Sequence, residues 1–267
     1  MLIRPVDSRQ ADILGASIRW GHPITQGMQF LWLASEGQPL FDMVQGRRGS
    51  LISGSISGGG GAFGGQRGSN PRYSFAGRPT ANLEPVVLFG VWRVATVAND
   101  WRPVISTSLN DTNYWVLWAT NGNHASQSEI SSRSTLCVLA STAPEQNVWY
   151  SQIGIVRASN QHSMVLKNWR TGVVEFYTES HSVTAPGDAS PVAVGQADAS
   201  SAIRTFDGDI AMAGISNGNL TDALLVDWAL NPFGFLDKLP MSRLWAGLAP
   251  PHNGPEIVPG TYMRRAA

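Results

Sequence analysis

Cysteine is almost missing from this chain: Cys137 stands alone among 267 residues. An intrachain disulfide and a cysteine zinc cluster are thereby excluded, and synthesis in a reducing compartment fits. Charge is scarce as well, at 14% Asp, Glu, Lys and Arg, where about a quarter is usual. The 19 basic and 19 acidic residues cancel to a formal net charge of zero. A chain that binds nucleic acid or lies on an anionic membrane carries a basic excess or patch, so neither partner is expected. Lys167 and Lys238 are the two lysines. The remaining cations are arginines, which suit planar, bidentate contacts at interfaces. No run approaches the roughly 20 apolar residues of a membrane span. Residues 1–15 interpose Arg4, Asp7, Arg9 and Asp12 and show no apolar core, so no secretory signal is expected there.

What is present is apolar surface and punctuation. Hydrophobic residues make up 43% of the chain, with 28 glycines, 16 prolines and 10 tryptophans. That is enough to build a core, which excludes disorder for most of the chain. The length suits one large β-domain as well as two ordinary domains. Short apolar runs separated by Gly, Asn, Asp, Ser and Pro clusters predict strands over 85–98, 113–119, 148–156, 163–169, 173–177, 191–194 and 210–215. In 113–119, Tyr114, Val116 and Trp118 share one face, and Trp115 and Leu117 the other. Runs apolar on both faces belong where two layers cover them. Many short strands favour a sandwich or jelly roll.

Helix signals are sparse. Thr221 can cap a helix, Asp222 suits its first turn, and Asn231-Pro232 stops it after Leu230. A second short helix is placed near 7–15. Residues 54–68 hold eight glycines in fifteen positions and read as an irregular loop. They match no phosphate-cradle pattern. Residues 249–267 carry Pro250, Pro251, Pro255 and Pro259 and read as an extended arm.

The order of small motifs carries a resemblance. Gly27-Met28-Gln29-Phe30-Leu31-Trp32-Leu33 precedes Glu36-Gly37, Phe41-Asp42-Met43-Val44 and Gly46-Arg47-Arg48-Gly49-Ser50-Leu51. Tyr73-Ser74-Phe75-Ala76-Gly77 follows, then Val148-Trp149-Tyr150 with Leu166-Lys167-Asn168. Phe206-Asp207-Gly208-Asp209-Ile210-Ala211, Asn217-Gly218-Asn219-Leu220-Thr221-Asp222 and Asn231-Pro232-Phe233 close the series. In this order they resemble laminin G-like, concanavalin A-like domains. Trp169 departs from the pattern, where a glycine is usual. Trp20-Gly21-His22-Pro23 and the Asn-Pro-Phe ending look most like bacteriophage structural proteins of this class.

The resemblance implies an all-β, concanavalin A-like (laminin G-like) β-sandwich jelly roll with one short C-terminal helix. It divides the chain into an N-terminal arm (1–19), the jelly-roll domain (20–236) and an extended C-terminal arm (237–267). The expected function is a non-enzymatic virion protein, a capsid decoration protein made in the host cytoplasm. It would assemble as a homo-oligomer and with the major capsid or other virion proteins. The alternative is a tail or fibre module that binds surface glycans for host attachment; the third is a glycan-cleaving enzyme.

Residue types refine this. Glycosidases need paired carboxylates across a groove, and Glu129, Glu175 and Glu179 form no linear acid motif. No GxSxG or HExxH pattern occurs, and the five histidines are dispersed. No catalytic residue is assigned. Trp101 and Trp169, near turns, are candidates for sugar stacking, although aromatics equally fill cores and interfaces. No cofactor is expected to be required. Calcium is the metal such sandwiches admit, with Asp42, Asp207 and Asp209 as ligands by position; Asp207 and Asp209 also read as turn formers flanking Gly208. Trp245, Leu248, Ile257, Val258 and Tyr262 make the C-terminal arm apolar enough to dock on a neighbouring subunit.

Overall fold

A run such as Val86-Val87-Leu88-Phe89-Gly90-Val91-Trp92 has no polar face to give to water, so both its faces must be covered. The computed structural model shows how. It describes residues 17–33, 41–53, 62–63, 72–75, 85–97, 101–107, 115–122, 127–132, 136–182, 191–197 and 205–237. The first strands are β1 (Ser17–Ile18), β2 (Met28–Leu33), β3 (Gly49–Ser53), β4 (Ala62–Phe63), β5 (Arg72–Phe75), β6 (Val86–Val94), β7 (Arg102–Ser106) and β8 (Trp115–Asn121). They are followed by β9 (Gln127–Ser132), β10 (Leu136–Leu139), β11 (Tyr150–Val156), β12 (Gln161–Asn168), β13 (Val174–Ser180), β14 (Val192–Val194), β15 (Gly208–Ser216) and β16 (Leu236–Asp237). Helix α1 (Asp222–Leu230) lies between the last two.

Two seven-stranded antiparallel sheets result, with β1 and β16 paired apart from them. One has the order β10-β9-β8-β7-β14-β5-β3; the other runs β13-β12-β11-β6-β15-β2, with β4 also on β15. Between them lies a core built from Val104, Leu117 and Ile130 of the first sheet and Trp92, Tyr150 and Met164 of the second. The Trp92 and Tyr150 rings stack at 5.0 Å. Gly90 lets Val104 approach the second sheet closely: a Cβ there would stand 2.6 Å from Val104 Cγ1. The outer face of the second sheet is covered by α1 and the segment after it. Val87, Phe89, Val91, Ile153 and Val165 pack there against Leu225, Trp228, Phe233 and Phe235. β6 therefore has apolar neighbours on both faces, as its sequence requires. The all-β expectation holds at the level of two packed antiparallel sheets with one helix among the described residues.

α1 forms where its signals stand. Thr221 Oγ1 accepts from Leu224 N, Asp222 sits in the first turn, and Asn231 ends the helix before Pro232. No helix among the described residues is long and apolar enough to cross a membrane. The two ends of the described chain meet: Ser17 pairs with Asp237 and Ile18 with Leu236, antiparallel. The expected helix near 7–15, most of the glycine-rich stretch and the C-terminal arm beyond Asp237 lie outside the described residues.

Gly208 heads β15 instead of occupying the expected Asp-Gly turn, and its φ is +141°. Gln152, wholly buried on β11, spans the core. Its Oε1 accepts from Trp92 Nε1 at 3.0 Å. Its Nε2 donates to the carbonyls of Trp118 and Glu129 at 3.1 and 3.3 Å. Those carbonyls belong to the opposite sheet, beside a slip in the β8–β9 register between Trp118 and Asn121.

Candidate functional site

β11 and β12 join through a tight turn in which Asn160 takes φ +61°, a conformation asparagine tolerates. Arg157 N donates to His162 Nδ1 (3.2 Å), and His162 Nε2 meets the His181 carbonyl at 2.8 Å. One ring nitrogen accepts, so the other carries the proton. Burial likewise lowers the pKa of His162 and favours this neutral form. The histidine thus anchors the turn and, with it, Arg157.

Beside this turn lies an open groove of about 340 Å³, lined by Arg157, Gln161, Ser163, Thr178, Asn219, Leu220, Thr221 and Asp222. Ser163 and Thr178 are register partners on β12 and β13. The loop before α1 and the first helical residue supply the opposite wall. Arg157 ties the two walls together. Its Nη1 donates to Ser163 Oγ at 2.9 Å and to the Gln161 carbonyl at 3.4 Å. Its Nη2 donates to the Leu220 carbonyl at 3.2 Å and to Asp222 Oδ1 at 2.7 Å. Phe176, opposite Val165, shares a strand face with Thr178 and is 44% exposed. It stands about 7 Å along β13 from the groove wall. No linear motif marks this site; the β12–β13 register and the packing of the loop before α1 bring its residues together.

The tryptophans singled out for sugar stacking are not brought together. Trp101 is half-buried on the outer side of the first sheet, packed on Val116, Trp118 and Ala197. Trp169 packs on the cluster outside the second sheet, with Lys167 Nζ 3.6 Å from its ring centroid. A cation therefore already occupies one face of that ring.

Asp42, Asp207 and Asp209 have protein partners. Asp207 Oδ2 accepts from Thr96 Oγ1 at 2.6 Å and lies 3.7 Å from Arg102 Nη2. Asp209 pairs with Arg93, whose guanidinium lies 5.2 Å from the Trp149 ring. Among the described residues, no group of three His, Cys, Asp or Glu side chains is arranged to hold a metal ion. Trp245, Leu248, Ile257, Val258 and Tyr262 lie outside the described residues.

Asp42 is the unusual acid. Its Oδ1 accepts from Val44 N at 2.9 Å and Leu31 N at 3.3 Å. Burial nevertheless dominates and raises its pKa from 3.8 to about 6. The folded state then holds this proton more tightly than the unfolded chain. Its stabilising effect is full below pH 3.8 and is lost as pH rises through about 6. Asp42→Asn keeps the accepting oxygen and cannot ionise. We expect it to flatten the decline in stability between pH 4 and 7 and to gain up to about 3 kcal/mol at pH 7. Thermal melts of both proteins across that range check this.

β13, at the edge that meets β10, carries two carboxylates. Glu175 and Glu179 share a face of β13 with Tyr177. Glu179 Oε1 accepts from Leu139 N at 3.0 Å, and its Oε2 meets His181 Nε2 at 2.8 Å. Burial raises the pKa of Tyr150, and the nearby negative charges of Glu145 and Glu175 add to the rise.

No family model matches the sequence, and no curated protein does. Solved structures match the fold. The sialidase of Trypanosoma rangeli in complex with sialic acid aligns with a TM-score of 0.53 at 10% identity, over 85% of this chain and 37% of the sialidase. In complex with a difluorinated sugar acid, the same enzyme aligns at 0.55 with 11% identity, over 85% and 38%. Domain 4 of an extracellular arabinanase from Geobacillus stearothermophilus, with arabinotriose, aligns at 0.48 and 13% identity over 76% of this chain and 98% of that domain.

The expectations of a non-enzymatic capsid decoration protein and of no enzyme are overturned by this finding: both of these alignments with TM-scores above 0.5 are to a sialidase. By fold, then, the chain is similar to part of a sialidase, and it spans little more than a third of that enzyme's length.

Proposed function

We propose that this chain recognises a carbohydrate and holds it in the groove between the β11–β12 turn and the start of α1. The observation that carries the reading is the groove's composition. Guanidinium, amide, hydroxyl and carboxylate groups line about 340 Å³ of open space, within the roughly 300–1,000 Å³ of small-molecule sites. Sugar hydroxyls need such groups held in fixed directions, and Arg157 fixes them by bonding to both walls. Sugar rings also carry apolar C–H faces, and the exposed Phe176 ring offers a surface for one. Support comes from the fold shared with a sialidase whose bound ligand is sialic acid. The concanavalin A-like jelly roll implied by the motif order is the finer reading of this sandwich. Its support is the pair of antiparallel sheets closed over one core.

Calorimetric titration with a panel of oligosaccharides tests the proposal. Phe176→Ala and Asn219→Ala are each expected to weaken binding about tenfold, one stacking face or one hydrogen bond to a sugar being worth roughly 1 kcal/mol or more. Both should leave the melting temperature nearly unchanged. Chromatography of the same mixtures after incubation reads out cleavage. Binding that survives both substitutions would move the site elsewhere, and no binding across the panel would end the reading.

A further inference from the structure

We infer that the groove is built for an uncharged glycan and that Asp222 sets this preference. The inference rests on the carbohydrate reading above. Arg157 is the one cation among the lining residues, and Asp222 the one anion. They neutralise each other at 2.7 Å. The guanidinium also serves Ser163 Oγ and the carbonyls of Gln161 and Leu220, so both its terminal nitrogens are committed to the protein.

Accessibility sharpens the bias. The Asp222 side chain is 51% exposed, whereas that of Arg157 is 19% exposed. A carboxylated sugar would meet the anion before the cation and be repelled. The positive end of α1 offers it little, because Asp222 occupies the first turn and Thr221 Oγ1 already accepts from Leu224 N. A neutral sugar meets the opposite situation. Asp222 engages Arg157 through Oδ1, which leaves its second oxygen to accept from a hydroxyl. Gln161, Ser163, Thr178 and Asn219 complete an uncharged lining.

The test is a ratio of affinities. Wild type and Asp222→Asn are titrated with neutral trisaccharides (maltotriose, cellotriose and xylotriose) and with two carboxylated probes, sialyllactose and trigalacturonate. Wild type is expected to bind its best neutral sugar at least about tenfold more tightly than either carboxylated one. Asp222→Asn should shrink that ratio about tenfold by releasing the guanidinium for a charge-assisted bond. The gained binding should weaken as salt is raised. Asp222→Ser, which also suits a helix start, serves as a second variant, and melting curves confirm folding.

A wild-type protein that binds carboxylated sugars as tightly as neutral ones overturns the inference and leaves the carbohydrate reading standing. A ratio unmoved in both variants does the same. Failure of every probe to bind any of the three proteins overturns the reading and the inference together.

Discussion

Gly208→Val should cost the fold about 3 kcal/mol or more, enough to unfold a large fraction of the molecules. Two independent effects combine. Gly208 holds φ +141°, a region that a β-branched residue essentially never adopts. An added Cβ would also lie 2.1 Å from the Arg93 carbonyl oxygen and 2.9 Å from Ala95 N, both backbone atoms that cannot swing away. The strain falls where β15 joins β6, in the middle of the second sheet. Gly172→Ala is the control: its φ is +76°, but nothing lies within 4 Å of the new Cβ. There we expect about 1 kcal/mol from conformation alone. Urea unfolding of the two variants separates the contributions. A Gly208→Val protein that melts like wild type would refute the close approach of β15 to β6.

Gln152→Leu should destabilise by roughly 3 kcal/mol although side-chain volume is nearly kept. The substitution withdraws the acceptor from Trp92 Nε1 and the donor from the Trp118 and Glu129 carbonyls. All three belong to buried residues, where an unmet polar group carries its full desolvation cost. Gln152→Glu should fail too, because an ionised carboxylate can still accept from Trp92 but cannot donate to the carbonyls. Guanidinium midpoints, with Trp fluorescence to report on Trp92, measure both. A Leu variant as stable as wild type would mean that the bridge contributes nothing net.

The parts of the fold that were legible share one property: their local chemistry agrees with their tertiary place. β6 is β-branched and aromatic because both its faces are covered. α1 carries its cap at Thr221 and its stop at Asn231-Pro232. β9, with the sequence Gln-Ser-Glu-Ile-Ser-Ser, reads as a polar loop and escaped notice. In the fold Ser128, Glu129 and Ser131 are buried. Ser128 Oγ donates to the Ala119 carbonyl, and Trp118 Nε1 donates to Ser131 Oγ. Polar burial of that kind depends on neighbours the chain meets only after folding. β7 hid behind Pro103, which sits at slips in the ladder to β8.

The groove was illegible for the same reason. Arg157 and Asp222 are separated by 65 residues, and each alone reads as an ordinary turn or helix-start residue. Trp101 and Trp169 both lie near turns, and turns at different points of a sandwich open onto different faces. At Asp207-Gly208, read from the sequence as a turn, the need for glycine comes from strand β6 passing close by.

The pairing of Ser17 with Asp237 and Ile18 with Leu236 has a mechanical consequence. Because the ribbon is antiparallel, the upstream chain leaves at Ser17 and the downstream chain leaves beside it at Asp237. Tension applied through both flanking segments therefore peels the ribbon open from one end, and its hydrogen bonds give way in sequence instead of sharing the load. Two residue pairs resist only weakly in that geometry. The ribbon is the first part to yield, and only while it holds do the sheets behind it, and the groove they position, stay unloaded.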